Sequence, residues 1–203
     1  MNVKHSALTP LGVMVLALLR EGDMHPYEMV RLLRARRDDR IVPITNGTLY
    51  HTVSRLHGRG LIDEVGVDRD GNRPERTTYT LTPAGHAAVG DWVRRELGVT
   101  GRTTFPVALA EAHNLERYEA LELLRTRRTL LDQELASLSQ ALDGAAARDV
   151  PDQYLLEVSR HRILLQAEIA WLDDLIPRMA SPDFAWGPDP EHLPAQRKAR
   201  QND

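Results

Sequence analysis

The hydrophobic spacing of this chain changes period near residue 60 and changes back near residue 82. No other feature restricts its fold as much. Up to His57 the apolar residues recur every three or four positions, as on one face of a helix. From Leu61 to Leu81 they lean toward alternation, as on a strand, around the Asp70-Gly71 pair that favours a tight hairpin. After Thr82 the helical spacing returns and persists to about Ile176. A mainly helical chain with one β-ribbon set into it follows. Sandwiches, barrels and alternating βαβ folds do not.

The helical stretches separate cleanly. Leu8 to Leu19 reads as a first helix, with Leu8, Leu11, Val15, Leu18 and Leu19 on one face, ended by Gly22-Asp23. His25-Pro26 opens a second, with proline at the first turn and Tyr27, Val30 and Leu33 as its buried stripe. Pro43 keeps Val42 out of a helix, and a third helix runs from about Asn46-Gly47 to His57 on Leu49, Val53 and Leu56. Thr82-Pro83 then caps a fourth, which carries Val89, Trp92, Val93 and Leu97.

Residues 98–104 read as a linker. Beyond it two long leucine stripes appear. One uses Leu121, Leu124, Leu131, Leu135, Leu138 and Leu142, with Arg128 in a missing slot. The other uses Leu155, Val158, Leu165, Ile169, Leu172 and Ile176, interrupted by Arg162. Two such stripes joined by a break at Gly144–Pro151 predict an antiparallel helical hairpin with coiled-coil-like packing. The two arginines either snorkel to solvent, pair with acids such as Glu134 or Glu168, or fix register. From Ser181 the chain is polar and proline-rich, and a disordered tail is expected. The expected organisation is a winged helix-turn-helix domain over 1–99, a helical dimerisation domain over 100–180 and a tail over 181–203.

Several function classes fall away. The chain has no cysteine, which excludes disulfide scaffolds, thiolate metal sites and cysteine nucleophiles and fits a reducing cytoplasm. No apolar run approaches the roughly 18 residues of a membrane span, and no signal peptide is legible. The eight histidines form no metal-ligand spacing. No phosphate-binding loop, nucleophile elbow or dinucleotide fingerprint is present, so neither an enzyme nor a cofactor is expected. The net charge of −3 is uninformative as a total. Residues 1–100 hold 14 Lys and Arg against 12 Asp and Glu, and the remainder is acidic. A polyanion responds to that local distribution rather than to the sum.

Helix, helix, helix and ribbon within about 75 residues is the order of a winged helix-turn-helix, whose third helix lies in a major groove with the ribbon beside it. On a helical wheel the third helix places Thr48, His51, Thr52, Arg55 and Arg59 away from its apolar face, with Tyr50 and Ser54 at the remaining edge. No acid occurs between Ile44 and Ile62. A helix that only meets water usually carries some. At the ribbon tip Arg69, Arg73 and Arg76 can reach phosphates, although Asp68, Asp70 and Glu75 are interleaved with them.

The chain resembles the PadR family of transcriptional regulators over residues 8–97. The resemblance is carried by Leu16-Ala17-Leu18-Leu19, His25-Pro26-Tyr27-Glu28, Gly47-Thr48-Leu49-Tyr50, Gly60-Leu61-Ile62 and the run from Gly71 to Tyr79, closed by Leu81-Thr82-Pro83-Ala84-Gly85. The second half is similar in length and pattern to the helical C-terminal domain of the longer subfamily. The resemblance implies a homodimer that binds an inverted repeat, usually represses, and in many members releases DNA on binding a small aromatic or amphipathic effector. By position it implies DNA contacts from Thr48, Tyr50, His51, and Ser54 or Arg55, with Arg73 and Arg76 on the wing. The family often has Gly-Tyr where this chain has His25-Pro26-Tyr27, which changes a backbone phosphate contact. A cytoplasmic, nucleoid-associated location is expected.

Trp92 and Trp171 are the candidates for lining an effector pocket, although a place in the core or dimer interface is the more ordinary reading because both lie on apolar stripes. Two other functions stay open. One is a regulator of the MarR type, against which the early start of the winged domain argues. The other is a winged helix that binds protein and no DNA.

Overall fold

The computed structural model describes residues 8–68 and 76–187. The first helix, α1 (Pro10–Arg20), starts two residues later than its apolar spacing suggests, because Thr9 is its N-cap and takes the Gly12 N–H at 3.2 Å. Leu11 to Leu16, Leu18 and Leu19 are all buried, so α1 is apolar nearly all round and forms the centre of the domain.

The second helix, α2 (Pro26–Ala35), buries Pro26, Met29, Val30 and Leu33. Tyr27 does not belong to that stripe: it is 57% exposed. The positions at i, i+3, i+4 and i+7 from Pro26 define the inner face, and Tyr27 falls outside it. The third helix, α3 (Asn46–His57), buries Leu49, Val53 and Leu56 as expected, each contributing about 1.5–3 kcal/mol. Thr52, read from the wheel as exposed, is buried as well, and its hydroxyl donates to the Thr48 carbonyl at 2.8 Å.

The ribbon consists of β1 (Ile62–Asp68) and β2 (Arg76–Leu81), paired antiparallel from Ile62 opposite Leu81 to Asp68 opposite Arg76. A bulge between Glu64 and Gly66 leaves Val65 as the extra residue, and Val65 is exposed. That is why the apolar alternation across the ribbon is imperfect. Met24 adds a short third rung, exchanging two 3.1 Å backbone bonds with Tyr79. The tip residues Arg69 and Arg73, and the side chain of Arg76, lie outside the described residues.

Thr82 opens α4 (Pro83–Leu97) as its sequence suggests. Its Oγ1 accepts the Gly85 N–H at 3.0 Å and its hydroxyl donates to the Gly60 carbonyl at 2.9 Å. Gly85 is required here, because a Cβ would stand 2.0 Å from the Leu61 carbonyl oxygen. Trp92 is buried, and its indole N–H donates to the Leu8 carbonyl at 3.1 Å.

The described chain forms two compact units. The first holds residues 8–68, 76–93 and 106–114, and the second holds 94–105 and 115–187. The first is the winged domain joined by α5 (Phe105–Ala110) from Pro106 onward, with the 3-10 turn Ala112–Asn114 that follows. Val107, Ala108 and Ala112 anchor this segment by burial.

The second unit is built on α6 (Arg117–Ala146) and α7 (Leu156–Ala180). Their cross-links fix the direction. Arg128 bonds Asp173 late in α7 and Glu134 meets His161 early in it, so the numbering falls on α7 as it rises on α6. The hairpin is antiparallel. Arg128 reaches Asp132 and Asp173, neither of the acids its sequence neighbourhood suggested. Glu168 goes instead to the buried Arg127, which also donates to the Val99 carbonyl and lies 3.6 Å over the Phe105 ring. Arg162 keeps a buried Nε with no partner among the described residues.

Residues 98–104 are not a free linker. Arg102 and Thr104 close on the buried Glu96 at 3.0 and 2.8 Å, with Arg95 at 3.2 Å. Nor is the tail loose at its start. Arg117 holds the carbonyls of Ser181 and Phe184, and the Trp186 indole donates to the Leu115 carbonyl at 2.9 Å. Residues 188–203 lie outside the described residues. Among the described residues no helix is long and apolar enough to cross a membrane.

Candidate nucleic-acid interface

The third helix is fixed at its start by a capping box that its sequence only partly announces. Thr45, the N-cap, takes the Thr48 N–H on Oγ1 at 3.1 Å, and the Thr45 N–H donates to Thr48 Oγ1 at 3.0 Å. The usual partner at the third position is Glu or Gln, so a threonine there hides the motif. The consequence for Thr48 is direct. Its hydroxyl is engaged with Thr45 in orienting α3.

Tyr50, His51 and Ser54 are exposed on α3. Tyr50 stands edge-on to His25, with ring centroids 6.3 Å apart. His25 is itself the N-cap of α2: its Nδ1 accepts the Tyr27 N–H at 3.0 Å. His25 therefore both supplies the cap and buttresses Tyr50. In this geometry Nδ1 is unprotonated. Sequence reasoning placed Pro26 correctly but missed the imidazole as a cap, because His is not among the favoured capping residues.

Arg55 of α3 and Arg59, two residues past its end, are only half exposed. Arg55 Nη2 donates to Thr9 Oγ1 at 3.3 Å, which ties α3 to the start of α1, while its Nε is buried without a partner. Arg59 Nη1 is likewise buried and unpartnered among the described residues. A buried guanidinium nitrogen without an acceptor is costly, and no acid on α3 is available to supply one. Arg34 on α2 reaches Asn46 at the start of α3 at 3.4 Å, a pairing across the turn that spacing alone does not show.

Trp92 and Trp171 differ in setting. Trp92 is core in the first unit with its one donor satisfied. Trp171, in the second unit, is 40% exposed and stands edge-on to Phe105 at 6.5 Å.

An α-helix with a capped start, an exposed polar face and no acid, followed by a bulged ribbon, is the arrangement of a winged-helix DNA reader. Residues 15–91 match the model of the transcriptional regulator PadR-like family. Over that stretch the chain is similar to this family. Among solved structures the chain is similar to PadR of Bacillus subtilis in complex with operator DNA, at 20% identity over 84% of this chain and 99% of that one, with a TM-score of 0.41. It is similar to PadR of Bacillus subtilis in complex with p-coumaric acid at 19% identity, over 85% of this chain and 96% of that one, with a TM-score of 0.36. A transcriptional regulator from Clostridium thermocellum matches at 29% identity over 42% of this chain and 78% of that one, with a TM-score of 0.35. No curated protein matches the chain.

Proposed function

We propose that this PadR-like chain is a homodimeric repressor that binds an inverted-repeat operator on the nucleoid, in the cytoplasm. The observation that carries this reading is the outer face of α3, which presents Tyr50, His51 and Ser54 with no carboxylate anywhere along the helix. Tyr50, His51 and Ser54 would meet base edges or phosphates. Arg55 and Arg59 would turn their unpartnered nitrogens to phosphate oxygens, and Arg73 and Arg76 would do so from the wing. Thr48 would hold the helix at the required angle.

The dimer belongs to the same proposal. It is supported by a second apolar face on α7, where Leu156 is 68% and Ile163 58% exposed and Leu164 and Trp171 are also uncovered. These residues do not belong to the stripe that packs on α6. Release by a small aromatic or amphipathic effector is part of the proposal too, and Trp171 beside Phe105 is the tryptophan with an open ring.

Fluorescence anisotropy of the full chain on DNA from upstream of its own gene, over a salt series, tests this. A saturable complex of two protomers per site is expected, tighter than on scrambled DNA. Its log affinity should fall linearly with log salt. Arg59→Ala should lower the slope by about one unit if Arg59 meets a phosphate. Binding to no duplex even at low salt would refute the proposal, and a monomer at micromolar concentration by sedimentation would refute its two-fold geometry.

A further inference from the structure

Residues 106–114 pack into the first unit through Val107, Ala108 and Ala112, and they carry a carboxylate in with them. Glu111 is buried. Among the described residues no cation forms an ion pair with it. Its side-chain partner is the Asn114 amide, 2.9 Å from Oε2 and also 2.9 Å from the Glu111 carbonyl oxygen.

The charges around Glu111 come from each element packed there. Arg20 and Glu21 stand at the end of α1, Arg36 at the end of α2, Asp38 in the turn after it, and His113 in the same segment. Arg36 gives Glu21 two hydrogen bonds, at 2.6 and 2.7 Å. Its charge is therefore largely offset by Glu21, and Asp38 adds a further acid. An ionised Glu111 is largely shielded from water and has no ion pair among the described residues, whereas a neutral Glu111 needs only its hydrogen bonds.

We propose that Glu111 is a protonation latch: residues 106–114 stay seated on the helix-turn-helix while its carboxyl is neutral and loosen when it ionises. Burial, reinforced by Asp38 and Glu21 against Asn114 and Arg36, pushes this carboxyl up from 4.5 to about 7. A proton held more tightly in the folded state stabilises it fully below the unfolded value, about 4.5. That stability is lost as pH rises through about 7. His113 is shifted downward, by burial first, so it is neutral where Glu111 ionises and supplies no compensating charge. The latch acts within the winged domain and does not depend on the DNA-binding proposal.

Hydrogen exchange of the full chain, corrected for the intrinsic pH dependence, reads the latch directly. Protection of residues 106–114 should fall roughly tenfold between pH 6 and pH 8.5. Glu111→Gln, neutral at every pH, should hold that protection constant and melt above the unsubstituted protein at pH 8.5. Equal pH dependence in the two proteins would overturn the proposal. A second measurement stands without any variant. Carbon-13 NMR of the glutamate carboxyls should show one group titrating near pH 7, and titration of every glutamate below pH 5.5 would overturn it.

Discussion

Replacing Gly85 with alanine tests the junction that sets the wing against the helices. An alanine Cβ would lie 2.0 Å from the Leu61 carbonyl oxygen and 2.7 Å from Leu81 Cδ1. The first is backbone, so it yields only if α4 and the start of β1 separate. That separation strains three bonds at once: Thr82 N–H to Leu61 O, the Thr82 hydroxyl to Gly60 O, and Gly85 N–H to Thr82 Oγ1. Overpacking of this kind costs about 1–3 kcal/mol, and a weakened cap adds about 1 kcal/mol. Against this, Gly to Ala in a helix returns up to about 1 kcal/mol. The net expectation is a loss of about 1–4 kcal/mol. Gly144→Ala is the control, because Gly144 lies in α6 and a Cβ there meets nothing within 4 Å. It should gain up to about 1 kcal/mol. Urea unfolding followed by circular dichroism measures both variants. A Gly85→Ala protein as stable as the parent would show that the Leu61–Gly85 approach is not a constraint, and the reasoning would fail.

Arg127→Met should destabilise by about 2–3 kcal/mol, near the lower end for a broken buried pair because Glu168 keeps contact with water. A change below about 0.5 kcal/mol in urea unfolding would count against it. Glu96 responds to acid. Burial pushes its carboxyl up, but hydrogen bonds from Thr104, Arg95 and Arg102 outweigh that and hold it below its ordinary 4.5. Its contribution is present above that ordinary value and is lost as pH falls through the depressed one. Melting midpoints from pH 7 to pH 3 should therefore drop less steeply for Glu96→Gln than for the parent. Thr45→Ala removes one arm of the α3 capping box and should cost about 1 kcal/mol. Unchanged stability by thermal melting would exclude the box as a determinant of α3.

The sequence by itself determined the order of elements. Leu49, Val53 and Leu56 recur at helical spacing, Asp70-Gly71 marks a hairpin, and Thr82-Pro83 marks a helix start. Each signal is local, because backbone geometry converts spacing directly into a face or a turn. The two leucine stripes likewise announced α6, α7 and their antiparallel return. The outward residues of α3 were legible for the same reason, except Thr52, which the wheel placed outside and the packing placed inside.

Only the tertiary structure decided which charges meet and which segments belong together. Arg127, not Arg128, became the buried cation, and its partner Glu168 lies 41 residues away. Residues 106–114 joined the winged domain across the boundary that composition suggested, bringing Glu111 among Arg20, Glu21, Arg36 and Asp38. Adjacent arginines in a helix point about 100° apart, so which of them is buried depends on the neighbour that arrives. The state of a carboxyl depends on solvent and on charges brought from distant segments. Neither quantity exists until the chain has packed.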